Sequence, residues 1–171
     1  LQFDWGIVGG AIDKNYMKVV NSGIEIGNVV QTCYGNELMK NLLPYLTEQL
    51  EFCQKSLTAY LETKRNLFPR FYFVSDANLL EILSLGSNPQ AVQPFFVCGL
   101  FDSLASVEFD KSDKMLMTKM RSNQTIPEEV SLIEPVKAQG NIETWLQKLT
   151  DGMQSTMKTI IKDAWEQCRE L

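Results

Sequence analysis

Between residues 43 and 60 the apolar side chains recur in steps of three and four: Leu43, Leu46, Leu50, Cys53, Leu57 and Tyr60. That spacing gathers them on one stripe of an α-helix and leaves Glu48, Glu51, Lys55, Glu62, Lys64 and Arg65 to the other faces. Asn41 and Pro44 suit its start, and Phe68 suits its end, because Pro69 disfavours helical backbone in the residue before it. Burying six such side chains, at roughly 1.5–3 kcal/mol each, outweighs surface charge pairs worth about 0.3–0.5 kcal/mol apiece. The pattern therefore predicts a helix held by packing, and fewer than three heptads point to a bundle helix rather than a coiled coil.

After Pro69 the pattern changes twice. Phe71, Tyr72, Phe73 and Val74 are strand formers in a run too short for an independent sheet, and are expected to plug a core or add an edge. Ser75 or Asp76 then caps a helix over 77–83, with Leu79, Leu80, Ile82 and Leu83 inward and Gly86 past its end. Asn88-Pro89 signals a further helix to about Leu104, with Phe95, Phe96, Phe101 and Leu104 inward, weakened by Pro94 and Gly99. Two-residue alternation in Val107-Glu108-Phe109, Met115-Leu116-Met117 and Val130-Ser131-Leu132 predicts a small antiparallel hairpin or three-stranded insert, with polar loops at 110–114 and 121–127.

Asn141 is a suitable cap for the last helix. Its stripe runs through Ile142, Trp145, Leu146, Leu149, Met153, Met157, Ile160, Ile161, Ala164, Trp165 and Cys168 to Leu171. Thirty residues at 1.5 Å each make a rod of roughly 45 Å, longer than a domain of this size needs, and the pattern still runs where the sequence stops. That predicts a segment of a larger chain. The first 40 residues are the least legible: LQFDWGIVGG carries three glycines, a short amphipathic stretch begins over Lys14 to Val20, and a flexible or truncated segment end is the expectation.

The expected fold is mainly α: an elongated helical bundle segment with a small antiparallel β-hairpin insert. It divides into a poorly defined edge at 1–40, a helical core at 41–105, the β insert at 106–139 and a long helix at 140–171. With 171 residues, 44% of them hydrophobic and 22% charged, the chain is ordinary for one globular domain. A net charge of -5 without a local basic stripe gives no electrostatic support to a nucleic-acid partner. No apolar run approaches the roughly 18 residues that span a bilayer, so no membrane role is expected.

Candidate chemistry narrows quickly. The sequence has no histidine, which removes Ser-His and Cys-His nucleophiles and imidazole metal sites. The glycines near the start are followed by no Lys-Ser or Lys-Thr, so they form no phosphate loop. Glu128-Glu129, Asp110 with Asp113, and Asp102 with Glu108 lie in polar loops or at element ends, where solvated charge is the expected role. Cys33, Cys53, Cys98 and Cys168 show no metal spacing and read as reduced, mostly packed thiols. Methionines such as Met115, Met117, Met120, Met153 and Met157 read as core fillers before they read as a partner groove. Trp145 and Trp165, on the leucine stripe, read as core or inter-domain contacts. No catalytic, cofactor-binding or metal site is expected.

Tyr60-Leu-Glu-Thr-Lys-Arg65, then Phe68-Pro-Arg-Phe-Tyr-Phe73-Val-Ser, Leu79-Leu-Glu-Ile-Leu83 and Ala91-Val-Gln-Pro94 occur in an order that resembles the linker region of dynein heavy chains. The resemblance covers residues 45–105 closely. Gly140-Asn-Ile-Glu-Thr-Trp-Leu146 is similar to the part of that linker approaching the motor ring, while Phe95 to Gly99 is more apolar than the charged stretch expected there. The YLETKR and FPRFYFVS blocks look more like axonemal than cytoplasmic dyneins. The resemblance implies a lever arm lying across a ring of AAA+ modules, transmitting ATP-driven rearrangement into microtubule-based movement. ATP and magnesium belong to that ring, and none to this segment. It also implies the remaining linker, intermediate and light chains and microtubules as partners, and the cytoplasm, cytoskeleton and cilium or flagellum axoneme as location. The alternative is a non-motor helical scaffold or tether, although no internal repeat is present. The residues expected to carry the packing of the arm are Tyr60, Phe68, Pro69, Arg70, Phe71, Tyr72, Phe73, Trp145 and Trp165. Pro69 is expected to stop the helix while Phe71 and Phe73 clamp its end.

Overall fold

The computed structural model describes residues 5–34 and 37–169. It is mainly helical with one small sheet, in the order α1 (Trp5–Ile26), α2 (Val29–Tyr34), α3 (Glu37–Leu67), α4 (Asp76–Ser84), α5 (Pro89–Val92), β1 (Leu104–Phe109), β2 (Leu116–Ser122), β3 (Glu129–Lys137) and α6 (Ile142–Arg169). Two compact units divide the chain, 1–60 and 61–171, and their boundary falls inside α3. Among the described residues no helix is long and apolar enough to cross a membrane.

The first unit departs from the expectation of a flexible edge. A helix of 22 residues absorbs Gly9 and Gly10, although glycine inside a helix costs about 1 kcal/mol relative to alanine. Gly27, at φ +66, ends it, and Asn28 starts α2 by accepting the Val30 and Gln31 amides at 3.0 and 3.2 Å. The close approach of α1 to α2 needs Gly23, whose added Cβ would meet Thr32 Cγ2 at 3.3 Å. Pro44 lies inside α3 rather than at its start. Of the predicted α3 stripe only Leu46 is fully buried in this unit; Leu43, Leu50 and Tyr60 are exposed, and Cys53 and Leu57 are half-buried. The thiols of Cys33, Cys98 and Cys168 are free and exposed, contrary to the expectation of packed cysteines.

In the second unit the core gathers Leu61, Phe68, Phe71, Leu79, Ile82, Val92, Phe96, Leu100, Met117, Trp145, Leu146 and Leu149, each at or below 1% exposure. Ser75 caps α4 by accepting the Asn78 amide, and Leu79 and Ile82 form its buried side, whereas Leu80 is exposed and Leu83 half-buried. The single helix expected from Asn88 to Leu104 does not form. Pro94 shortens α5 to Pro89–Val92, a 3₁₀ turn spans Gln93–Phe95, and a π-turn spans Phe96–Leu100 and breaks at Cys98 and Gly99. Leu104 opens β1 instead.

The sheet is three-stranded, antiparallel, in the order β1-β2-β3. Its buried residues fall three apart, Leu104 with Val107 and Met117 with Met120, because Ala105 and Thr118 are extra residues that return both neighbours to one face. On β3, the segment between Ser131 and Val136 leaves the β2 ladder, and the Ile133 amide donates instead to the buried Thr156 hydroxyl of α6 at 3.2 Å. Gly152 lets α6 come close, since a Cβ there would sit 3.0 Å from Val136 Cγ2.

The first half of α6 is buried through Ile142, Trp145, Leu146 and Leu149, but its second half is not. Met157, Ile160, Ile161 and Trp165 are 43 to 64% exposed, which corrects the expectation of one buried stripe. Leu171, the last of that stripe, lies outside the described residues.

Between β1 and β2 the Asp110 carboxylate accepts the Ser112 hydroxyl and the Ser112 and Asp113 amides, and these donors hold it below the usual carboxylate range. Asp113 is lowered by the Lys137 ammonium at 2.8 Å and by the Met115 amide. Groups with depressed folded pKa contribute stability above their ordinary value of 3.8 and lose it as pH falls through the lower folded value. Asp110→Asn plus Asp113→Asn is therefore expected to flatten the stability loss below about pH 4 in urea melts taken across pH 2–6. A pH dependence unchanged from the parent chain counts against this account of the loop.

Candidate functional site

The sequence abandons the α3 helix at Leu67, and the second unit closes its end tightly. Phe68 leaves helical backbone at φ -137, ψ 95, Pro69 opens a 3₁₀ turn over Pro69–Phe73, and Val74 returns to extended backbone. A helix end leaves carbonyls without intrahelical donors, and so does the turn that follows. Arg65, in the last turn of α3, reaches over the turn: its Nε and Nη2 donate to the Phe71 and Val74 carbonyls at 3.4 and 3.3 Å, and Nη2 pairs with Asp76 Oδ1 at 2.6 Å. Asp76 is in the first turn of α4, so one guanidinium ties α3, the 3₁₀ turn and α4 together.

The aromatics of the turn divide their labour. Phe68 and Phe71 are fully buried and meet edge to face, with centroids 5.0 Å apart at 78°. The Tyr72 ring is half in solvent, where its hydroxyl donates to Glu62 Oε1 at 2.5 Å and lies 3.0 Å from Asn66 Oδ1. That bond to the Glu62 carboxylate pushes the phenol pKa up. Phe73, expected as half of the clamp, is 75% exposed, so the packed pair is Phe68 with Phe71. What Phe73 does contribute is backbone: a Cβ on Gly99 would stand 2.7 Å from its carbonyl oxygen, and Gly99 has φ +105. Only glycine fits there.

Arg70 carries the joint toward the sheet. It donates to the Leu100 carbonyl at 3.3 Å, and its guanidinium lies 5.0 Å from the Phe101 ring centroid. One turn before the end of α3, Lys64 Nζ meets Glu143 Oε1 of α6 at 2.7 Å, with side chains 18% and 6% exposed. The other ion pairs of the described residues each leave one partner more than half exposed. Trp145 is buried two residues later, and neither its indole Nε1 nor Glu143 Oε2 has a hydrogen-bond partner among the described residues.

Of the residues singled out from sequence, Phe68, Pro69, Arg70, Phe71 and Tyr72 meet at this joint, and Trp145 is in the same unit's core. Tyr60 is exposed beside the buried Leu61, and Trp165 is exposed. Lys64, Arg65, Asp76, Gly99 and Glu143 were not singled out. The signal for Glu143 was a carboxylate flanked by Ile142 and Trp145; that for Gly99 was a lone glycine in an otherwise helix-like apolar run.

The family model for dynein heavy chain, N-terminal region 2, matches residues 10–164, which include the whole of this joint. The chain belongs to the dynein heavy chain family. It is 56% identical over 160 residues to the dynein gamma chain of the flagellar outer arm of Chlamydomonas reinhardtii, covering 94% of this chain and 4% of that protein. It is 46% identical over 155 residues to dynein axonemal heavy chain 5 of Rattus norvegicus, covering 90% and 4%. Cytoplasmic dynein 2 heavy chain 1 of Caenorhabditis elegans is 35% identical over 154 residues, again 90% of this chain and 4% of that protein. The chain thus spans about one twenty-fifth of the length of these relatives.

Lys64→Met leaves the Glu143 carboxylate buried without its cation and is expected to cost about 3 kcal/mol, whereas Lys64→Met with Glu143→Leu regains most of that loss. Urea denaturation of both variants checks it; equal losses in the two mean that the pair carries no charge-specific energy. Gly99→Ala is expected to cost at least about 2 kcal/mol in the same assay, from backbone strain and the clash with the Phe73 carbonyl.

Proposed function

We propose that this segment is part of the mechanical linker of a dynein heavy chain, a lever arm that carries ATP-driven rearrangement of the AAA+ ring into microtubule-based movement. Its contribution is stiffness rather than chemistry. The observation that carries the reading is the closure of α3, where Arg65 ties the helix end to the 3₁₀ turn and α4 while Lys64 ties it to α6. A load on one of these elements is then passed to the others through short charged contacts and close-packed rings, with no loop of free backbone between them. The expected bundle of 41–105, the sheet of 106–139 and the helix of 140–171 leading toward the ring are parts of this proposal. So are ATP and magnesium in the parent ring, the remaining linker, intermediate and light chains and microtubules as partners, and work in a ciliary or flagellar axoneme, as the names of the more similar relatives suggest.

Moving such an arm completely between two positions takes about 5.5 kcal/mol of differential contact with the ring. A joint that yields would dissipate that difference. Phe68→Ala with Phe71→Ala in the parent motor is expected to keep ATP turnover near the unaltered rate and to slow microtubule gliding severalfold. Gliding and turnover that stay in the parent ratio, in a motor of normal thermal stability, overturn the lever reading.

A further inference from the structure

Three hydroxyls in the chain stand three residues before an acid: Ser22 before Glu25, Thr125 before Glu128 and Ser131 before Glu134. That spacing suits a serine/threonine kinase with a basic substrate groove. In extended backbone a carboxylate three residues on lies roughly 10 Å from the hydroxyl, where a lysine or arginine cluster can hold it. Phosphoryl transfer also needs the hydroxyl brought up to the kinase's nucleotide, so the substrate segment must come away from its own fold and lie in that groove. The sequence alone treats the three sites alike, and the fold separates them.

Ser22 lies inside α1 and is half-buried, so presenting it means unwinding a helix. Ser131 lies in β3 opposite Lys119 of β2, and lifting it out breaks the ladder. Thr125 is in the connection between β2 and β3, where every residue from Asn123 to Glu128 is exposed. The base of this connection is closed. The Ser122 amide donates to the Glu128 carbonyl, the Glu128 amide to the Ser122 hydroxyl and the Asn123 amide to the Ser103 carbonyl, each at 2.9 Å. Beyond that base Gln124, Thr125, Ile126 and Pro127 make no hydrogen bond among the described residues. A loop tip of this kind is the part of a fold most open to a modifying enzyme. Its two carboxylates, read from sequence as solvated charge, differ in state. Glu129 is paired with Arg121, whereas the Glu128 side chain has neither ion pair nor hydrogen bond among the described residues and is available to a cation from outside.

We propose that Thr125 is a phosphorylation site for an acidophilic serine/threonine kinase that reads Glu128. The Thr125 Oγ1 attacks the γ-phosphorus of the magnesium ATP held by the kinase. The new oxygen–phosphorus bond replaces the one to the β-phosphate oxygen, ADP leaves, and the hydroxyl proton passes to the kinase's own base. The product adds a charge of about -1.5 to -2 to a hairpin tip that already carries two carboxylates. The site stands whether or not the arm acts as a lever.

Incubation of the intact parent heavy chain with a recombinant acidophilic serine/threonine kinase and magnesium ATP, with the sites mapped by mass spectrometry, tests it against synthetic peptides covering 18–28, 120–130 and 127–137. The peptides are expected to be phosphorylated at Ser22, Thr125 and Ser131 respectively. In the folded heavy chain Thr125 is expected to react within about tenfold of its peptide rate, and Ser22 and Ser131 at least about a hundredfold more slowly than theirs. Glu128→Gln is expected to slow Thr125 about tenfold and Glu134→Gln to leave it unchanged, with thermal melting of both variants at the parent value. Should Glu128→Gln fail to fold, the site map of the unaltered chain still decides. Thr125 left unmodified in the folded chain overturns the proposal, whatever its peptide does. Ser131 modified there as fast as Thr125, or a Thr125 rate indifferent to Glu128, overturns it equally.

Discussion

The second unit depends on how a long helix is made to stop. Helix α3 ends at Leu67, before buried Phe68 and a proline that cannot continue the helix, so the chain must turn there. Arg65 anchors the turn from inside the helix. Its planar fork satisfies two carbonyls of the following turn and a carboxylate of the next helix at once, which a lysine at the same place would not. With the backbone so anchored, Phe68 and Phe71 can turn inward and Tyr72 back toward Glu62.

The second tie differs in kind. Lys64 with Glu143 is a largely buried pair, so its attraction is poorly screened, and the penalty for separating it is a charge left in the core. Pairs such as Lys119 with Glu108 are exposed on the sheet, where they tune the titration of both partners, Glu108 down and Lys119 up, and add little to the fold. Strength at the joint therefore comes from a few desolvated contacts. The abundance of surface charge elsewhere contributes little.

Membership of the dynein heavy chain family agrees with what the aromatic block around Pro69 resembled. It also makes sense of a chain in which many large apolar side chains are exposed. Val29, Val30 and Tyr34 in the first unit, and Ile161 and Trp165 in the second, are surfaces whose exposure would be costly in an isolated small protein.

By itself the sequence determined the long helices α3 and α6, though not α1, together with the helix stop at Phe68-Pro69, the cap at Ser75 and the three short strands, since each is written in local spacing or in the backbone limits of proline and serine. Only the tertiary structure decided which half of each stripe is covered. The same three-four spacing runs through Leu149 and Trp165, yet one meets the rest of the second unit and the other does not. It also decided that Leu104 belongs to a strand and that Gly99 is fixed by a carbonyl 26 residues earlier in the chain, that of Phe73. It made Glu143, one acidic residue among many, the buried partner of Lys64. Periodicity records which face of an element is apolar; what that face meets depends on chain that is distant in sequence.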